Sequence, residues 1–321
     1  MSIHSRLFAL LAGILISGSV AAQAYPVKPI TLVVPFGAGG NNDVSGRLLA
    51  QKMSEIVGQP VVVENRTGAA GAIGMASVAK AQPDGYTLGF GSSGPVATNV
   101  SLYKNLPYDP VKDFQPVART TSSPSVLVVH PSVPARNIGE LVAYLKSNPG
   151  KLNYATSGKG SSPHLAGALF ESMAGVQMTN VAYRGGAPAL ADLMSGQVQL
   201  SFSPILEVMP HIASGKLRAL GVTSLKRSAL LPDVPAIAEI YPKYEVITWN
   251  GILAPKGVSP EVVQKIHAAA MQALADPEVK ARLAKLGLDP FGAAPEEFGE
   301  YIRSQIGHFA SLAEMAGVEA Q

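Results

Sequence analysis

Four times along this chain of 321 residues, a short apolar β-type run ends in a loop rich in glycine or serine. Ile30–Val34 runs into Pro35-Phe36-Gly37-Ala38-Gly39-Gly40-Asn41-Asn42-Asp43. Tyr86–Phe90 runs into Gly91-Ser92-Ser93-Gly94, and Leu152–Ala155 into Thr156-Ser157-Gly158-Lys159-Gly160-Ser161-Ser162-Pro163-His164. Val181–Tyr183 runs into Arg184-Gly185-Gly186. The first, third and fourth loops open helical patterns. After the first, Val44, Leu48, Leu49, Met53 and Ile56 fall on one helix face. Strand–loop–helix repetition of this kind predicts a mostly parallel α/β architecture.

Further strands are expected at Val61–Val63, Val126–Val129, Val198–Phe202 and Leu217–Val222. Ile138, Leu141, Val142 and Leu145 mark one helix, and Leu165, Leu169, Phe170 and Met173 another. Ser259-Pro260-Glu261 and Asp276-Pro277-Glu278 each set a capping residue before a proline suited to the first helical position. Phe298, Tyr301, Ile302, Phe309 and Leu312 predict a last amphipathic helix. The length suits two domains of about 150 residues. Two extended stretches, Thr120–Pro124 and Tyr244–Ile252, read as crossings between them. The expected division is a discontinuous lobe 1 of residues 25–124 plus 246–321, and a lobe 2 of residues 125–245. A cleft between two such lobes is a common place for a small ligand.

Residues 1–24 read as a signal peptide. His4 and Arg6 lead, an apolar stretch runs from Leu7 to Ile16, and Ala22-Gln23-Ala24 offers a cleavage site. That stretch is shorter than the roughly 20 residues that cross a bilayer. The expected location is the periplasm, after cleavage near Ala24. Several chemistries are excluded. A net charge of +3 is too small for a nucleic-acid partner. The absence of cysteine removes disulfides, thiolate metal sites and a lipid-anchored amino terminus. The six histidines are dispersed, so no metal site and no cofactor are expected.

The loops carry the chemistry. Glycine allows close backbone approach, and exposed N–H groups at a helix start favour an anion. The first loop has Asn42 where a dinucleotide fingerprint needs glycine, and it lacks the lysine of a phosphate-binding P-loop. A small carboxylate fits better. The candidate contacts are Phe36, Gly37, Ala38, Gly39, Gly40, Asn41 and Asp43 on the first loop, with Ser92 and Ser93 on the second. On the far side they are Thr156, Ser157, Gly158, Gly160, Ser161 and His164, then Arg184, Gly185, Ser203 and Pro204. Asp43 and His164 also suit a purely local role at their helix starts. Arg66 suits a surface or interlobe contact, Trp249 suits core packing or the cleft wall, and Glu207 would serve a ligand amine. A secreted hydrolase using Ser92, Ser93, Ser161 or Ser162 is the catalytic alternative, without a nucleophile motif to support it.

Residues 25–321 resemble the substrate-binding proteins of tripartite tricarboxylate transporters, the TctC or Bug family. The likeness rests on Tyr25–Ile30 running into VVPFGAGG and Asp43, and on VVVENRTGAAG at 61–71. It continues through Pro83–Leu88, LPYDPVKDFQPVA at 106–118, YATSGKGSSPHLAG at 154–167, GKLRALGVTS at 215–224 and LPDVPAIAEI at 231–240. Trp249, Gly251 and Pro255 complete it. The resemblance implies a two-lobed periplasmic binding protein of type II fold that closes on an organic acid. In this numbering, backbone N–H groups of Phe36–Asn41 and Ser157–Ser161 would hold its carboxylates. It also implies a monomer, without catalysis, that delivers ligand to membrane subunits of the TctA and TctB type, or alternatively to a sensory receptor. Ala182 and Arg184 stand where the family often has proline and lysine, and Ser203-Pro204 replaces a commoner polar pair. Those departures bear on which acid is bound.

Overall fold

A computed structural model describes residues 25–183 and 185–320. The expected signal segment and Arg184 lie outside the described residues. The strands are β1 (Ile30–Val34), β2 (Val61–Asn65), β3 (Thr87–Ser92), β4 (Phe114–Val129), β5 (Asn153–Thr156), β6 (Thr179–Ala182), β7 (Leu200–Pro204), β8 (Arg218–Val222), β9 (Ile247–Pro255) and β10 (Asp289–Ala293). The helices are α1 (Asn41–Val57), α2 (Ala72–Ala79), α3 (Asn99–Leu102), α4 (Ile138–Ser147), α5 (Ser162–Ala174), α6 (Gly186–Ser195), α7 (Ile205–Ala213), α8 (Pro260–Ala275), α9 (Pro277–Lys285) and α10 (Pro295–Met315). None of these helices is long and apolar enough to cross a membrane.

The strands join in the order β2-β1-β3-β9-β4-β7-β5-β6, with β8 and β10 also pairing with β4. Parallel pairing holds at the two ends, where β1 pairs with β2 and β3, and β5 with β6 and β7. Every antiparallel pair involves β4 or β9. β4 is the organising strand. Its residues 114–124 pair with β9, while 125–129 pair with β7 and β8. One continuous strand therefore belongs to both halves of this two-lobed α/β fold.

Local chemistry explains the elements. In β1, ITLVV buries four of five residues. Asn137 caps α4 by accepting the Glu140 amide, and Asp276 caps α9 by accepting those of Glu278 and Val279. Ladder partners shift some boundaries from the expected ones. β7 reaches Pro204 because Ser125 of β4 pairs with it, so Ser203 and Pro204 end a strand rather than form a loop. β10 was not expected from sequence. Its DPFGA segment is exposed over four of five residues and is a strand only through β4.

The core forms three buried clusters. One packs β1, α1 and α8, and another packs β4 with α6 and α7. The third runs through both halves, from Met75 through Trp249 and Phe298 to Phe170 and Leu127. α10 lies along this third cluster and packs on β4, α3 and α5.

Candidate functional site

The loop after β1 is open at Gly37–Gly40 and fastened at both ends. Gly39 has φ 84°, a left-handed conformation that favours glycine. Its N–H donates to Asp43 Oδ2 at 2.9 Å. Asn65, at the end of β2, donates to Asp43 Oδ1 at 2.8 Å and to the Phe36 carbonyl at 2.9 Å. Arg47, one turn further along α1, donates Nε to Asp43 Oδ2 at 3.0 Å. Burial pushes the Asp43 carboxyl up. Hydrogen bonds from Arg47, Gly39 and Asn65 outweigh this and hold it below the ordinary aspartate value.

The loop after β5 repeats the arrangement with different chemistry. Gly160 has φ 76°, and its N–H donates to His164 Nδ1 at 3.0 Å. Ser161 Oγ donates to the Gly158 carbonyl at 2.7 Å. His164 is buried, and burial first, then the Lys159 charge, lowers its pKa. The neutral ring therefore carries its proton on Nε2 and offers Nδ1 to the loop.

Between the two loops lies a cleft of about 340 Å³. Phe36 and Asn42 line it from the first loop, and Ser157, Gly158, Lys159, Gly160, Ser161 and Ser162 from the other. Ser92 and Ser93 form part of its wall, with Thr98, Asn99 and Leu102 beyond them. Ala70 contributes from a turn at Gly68–Gly71 whose four residues all have positive φ (124°, 44°, 50° and 88°). Asn99 Nδ2 donates to the Ala70 carbonyl at 3.2 Å, which helps hold that turn. Thr248 of β9 and Phe309 of α10 complete the lining. The two walls meet where Leu102 covers Gly160. A first side-chain carbon on Gly160 would stand 2.9 Å from Leu102 Cδ2.

A polar relay ties this cleft to the shared strands. Asn42 Nδ2 donates to Asn250 Oδ1 at 2.9 Å, and Asn250 Nδ2 donates to Thr121 Oγ1 at 3.0 Å. Asn250 and Thr121 are register partners on β9 and β4. Both are buried. The lining loop and the strands joining the two halves are thus one hydrogen-bonded unit.

Of the expected contacts, Phe36, Ser92, Ser93, Ser157, Gly158, Gly160 and Ser161 come together on the cleft. Gly37, Ala38, Gly39 and Gly40 lie exposed on the first loop beside it. Asn41 begins α1. Asp43 and His164 are buried behind their loops. Thr156 Oγ1 donates to Asn180 Oδ1 at 3.0 Å, and Ser203 Oγ to Ser201 Oγ at 3.0 Å, both away from the lining. Gly185 precedes α6, and Pro204 precedes α7; neither lines the cleft. Arg66 pairs with Glu64 at 2.8 Å on the surface. Trp249 packs into the core, edge-on to Phe298 and Tyr301. Asn42, Thr98, Asn99, Leu102, Thr248 and Phe309 line the cleft without being expected contacts, as do Ala70, Gly94, Lys159 and Ser162. Of these, Asn42, Gly94, Lys159 and Ser162 stand within the glycine- and serine-rich loops legible in the sequence.

Residues 46–318 match the family described as tripartite tricarboxylate transporter family receptor, TctC. The chain is 40% identical to the periplasmic binding protein BugD, with TM-score 0.76, over 92% of this chain and 100% of that one. It is 36% identical to Rpa4515 of R. palustris, solved with adipate, with TM-score 0.80, over 92% and 100% of the two chains. It is 34% identical to MatC from Rhodopseudomonas palustris, solved with bound malate, with TM-score 0.74, over 90% and 99%.

Proposed function

The chain belongs to the tripartite tricarboxylate transporter receptor family, and on that premise we propose that its cleft captures a small organic carboxylate for a membrane transporter. The family consists of periplasmic substrate-binding proteins, not enzymes. One observation carries the reading to this chain. Ser92 and Ser93 are only 3% and 6% exposed and line the cleft. Among the described residues, their hydroxyls make no hydrogen bond within the protein. The Ser162 hydroxyl on the opposite wall is also buried without a partner. Buried hydroxyls normally find partners, and leaving one unmade costs about 1–3 kcal/mol. That one buried hydroxyl, with the unpartnered Ser92 and Ser93 hydroxyls open to the cleft from the other wall, suits the oxygens of a carboxylate held from both sides.

The finer assignments follow the same reading. The first loop and Ser92-Ser93 contact the ligand from lobe 1 (25–124 plus 246–321), and Ser157–Ser162 from lobe 2 (125–245). The signal segment is removed near Ala24, and the mature protein works as a monomer. Membrane subunits of the TctA and TctB type receive the ligand. The test is calorimetry against a panel of carboxylates that includes adipate and malate, with small-angle scattering on the best binder. Binding tighter than millimolar and a compaction on saturation are expected. A panel in which no acid binds overturns the proposal.

A further inference from the structure

The first loop is fastened from outside as well as from within. Arg47 Nη2 lies 2.9 Å from Asp43 Oδ1 and donates to Asn65 Oδ1 at 2.8 Å, in addition to the Nε bond to Asp43. Asp43 and Asn65 are the two residues that hold the Gly39 N–H and the Phe36 carbonyl. Yet the Arg47 side chain is 50% exposed. It lines a second groove of about 460 Å³, formed by α1 and α9 on the outer surface.

This groove has a distinct composition. Val44, Leu48 and Leu286 give it apolar surface, and Arg47, Arg282 and Lys285 give it three cations. No carboxylate lines it. Arg282 has a long contact of 3.8 Å with Glu278, and Lys285 makes no ion pair among the described residues. Further along α1, Lys52 is neutralised by Glu55 and Asp276, both at 2.9 Å. Arg47 is likewise paired with Asp43, so the cations of the groove without a close ion pair are Arg282 and Lys285 on the α9 side. In a chain with only 15% charged residues, this is a concentrated feature.

We infer that the groove is a docking surface for an acidic, amphipathic segment of the membrane protein that receives the ligand. Apolar side chains of that segment cover Val44, Leu48 and Leu286, and its carboxylates meet the three cations. Docking also acts on the ligand loop. A partner carboxylate at Arg47 competes with Asp43 and Asn65 for one guanidinium. Docking and ligand retention therefore oppose each other through that side chain, which couples delivery to release. The inference rests on the receptor reading given above.

Gln51 lines the same groove and takes no part in holding the loop. In the full chain it is replaced by the photo-crosslinking residue p-benzoylphenylalanine. The protein is then presented with the two membrane subunits of its tripartite transporter in proteoliposomes. Crosslinks to a membrane subunit are expected. They should fall about tenfold in the double variant Arg282→Gln, Lys285→Gln, as loss of both charges at a complementary rim implies. Titration of that variant with the best acid of the panel should stay within about twofold of the parent, since the sites share no contact. Absence of membrane-subunit crosslinks overturns the inference, as do crosslinks that survive the double neutralisation. A double variant that loses carboxylate binding also overturns it, because the groove would then belong to a small-anion site. Failure of the parent to bind any carboxylate sinks the receptor reading instead, and the crosslink remains readable without ligand.

Discussion

His164 Nδ1 accepts the amide of Gly160, four residues before it, at 3.0 Å. Asp43 accepts the amide of Gly39 with the same spacing, at 2.9 Å. Each acceptor sits in the first turn of a helix, and each glycine has positive φ. The two halves thus brace their cleft loops in one way, with side chains whose protonation differs.

Acid should loosen the His164 brace first. The folded pKa is depressed, by burial and then by Lys159, below the 6.5 of a free imidazole. The stability from the neutral ring is therefore complete above about pH 6.5 and is lost as pH falls through the folded value. Urea unfolding between pH 8 and pH 5 should show this loss. His164→Leu should cost about 1–2 kcal/mol at pH 8 and remove that acid-dependent component. An acid limb unchanged in the variant would assign it to other groups.

The Asp43 brace should outlast it. Its carboxyl is held low despite burial, so its contribution persists above about pH 4 and is lost only as pH falls through the depressed value. As pH is lowered, amide exchange by NMR should show the Gly160 N–H losing protection at a higher pH than the Gly39 N–H. Asp43→Asn should cost about 1–2 kcal/mol, a modest figure because Arg47 is half exposed. Loss of both protections at the same pH would count against the assignment.

The two glycines should respond differently to alanine. At Gly39 a side-chain carbon meets nothing within 4 Å, so Gly39→Ala should cost only the left-handed backbone, about 1–2 kcal/mol. Gly160→Ala adds the clash with Leu102 and should cost more. Leu102→Ala in the same chain should recover the excess and leave the backbone part, a coupling that denaturant titration of the four-membered cycle reads directly. Additive costs would mean that the walls do not press on each other there.

Binding and stability should separate at the serines. Ser92→Ala and Ser93→Ala remove hydroxyls that hold nothing in the protein, so melting temperatures should stay close to the parent. Carboxylate affinity should fall about tenfold for each, the size of a hydrogen bond to a charged group. A loss of stability with affinity intact would reverse the roles.

The glycine loops were legible because their backbone conformations need glycine wherever they occur. Strands β1, β5 and β8 were legible from their apolar runs, and α9 from its cap. The rest of the cleft depended on tertiary placement. Asn42 meets Asn250 across 208 positions of sequence, and Phe309 arrives on the last helix. Asp43 and His164 show a subtler limit. A polar residue at a helix start after a glycine loop can face a ligand or hold the loop, and local pattern looks the same for both. β10 escaped notice because its exposed DPFGA segment has no strand pattern of its own.

Trp249 lies between two lining-side neighbours, Thr248 of the cleft and Asn250 of the relay, but alternation along β9 turns its ring the other way. It is fully buried against Phe298 and Tyr301, with Nε1 donating to Gln305 at 3.2 Å. It is also the sole tryptophan of the chain. Its emission should be blue-shifted and should change sharply only when α10 leaves β9. A flat fluorescence titration would then be the optical signature of a sealed indole, uninformative about occupancy a few ångströms away. The same signal should make the molecule its own dye for the undocking of its last helix.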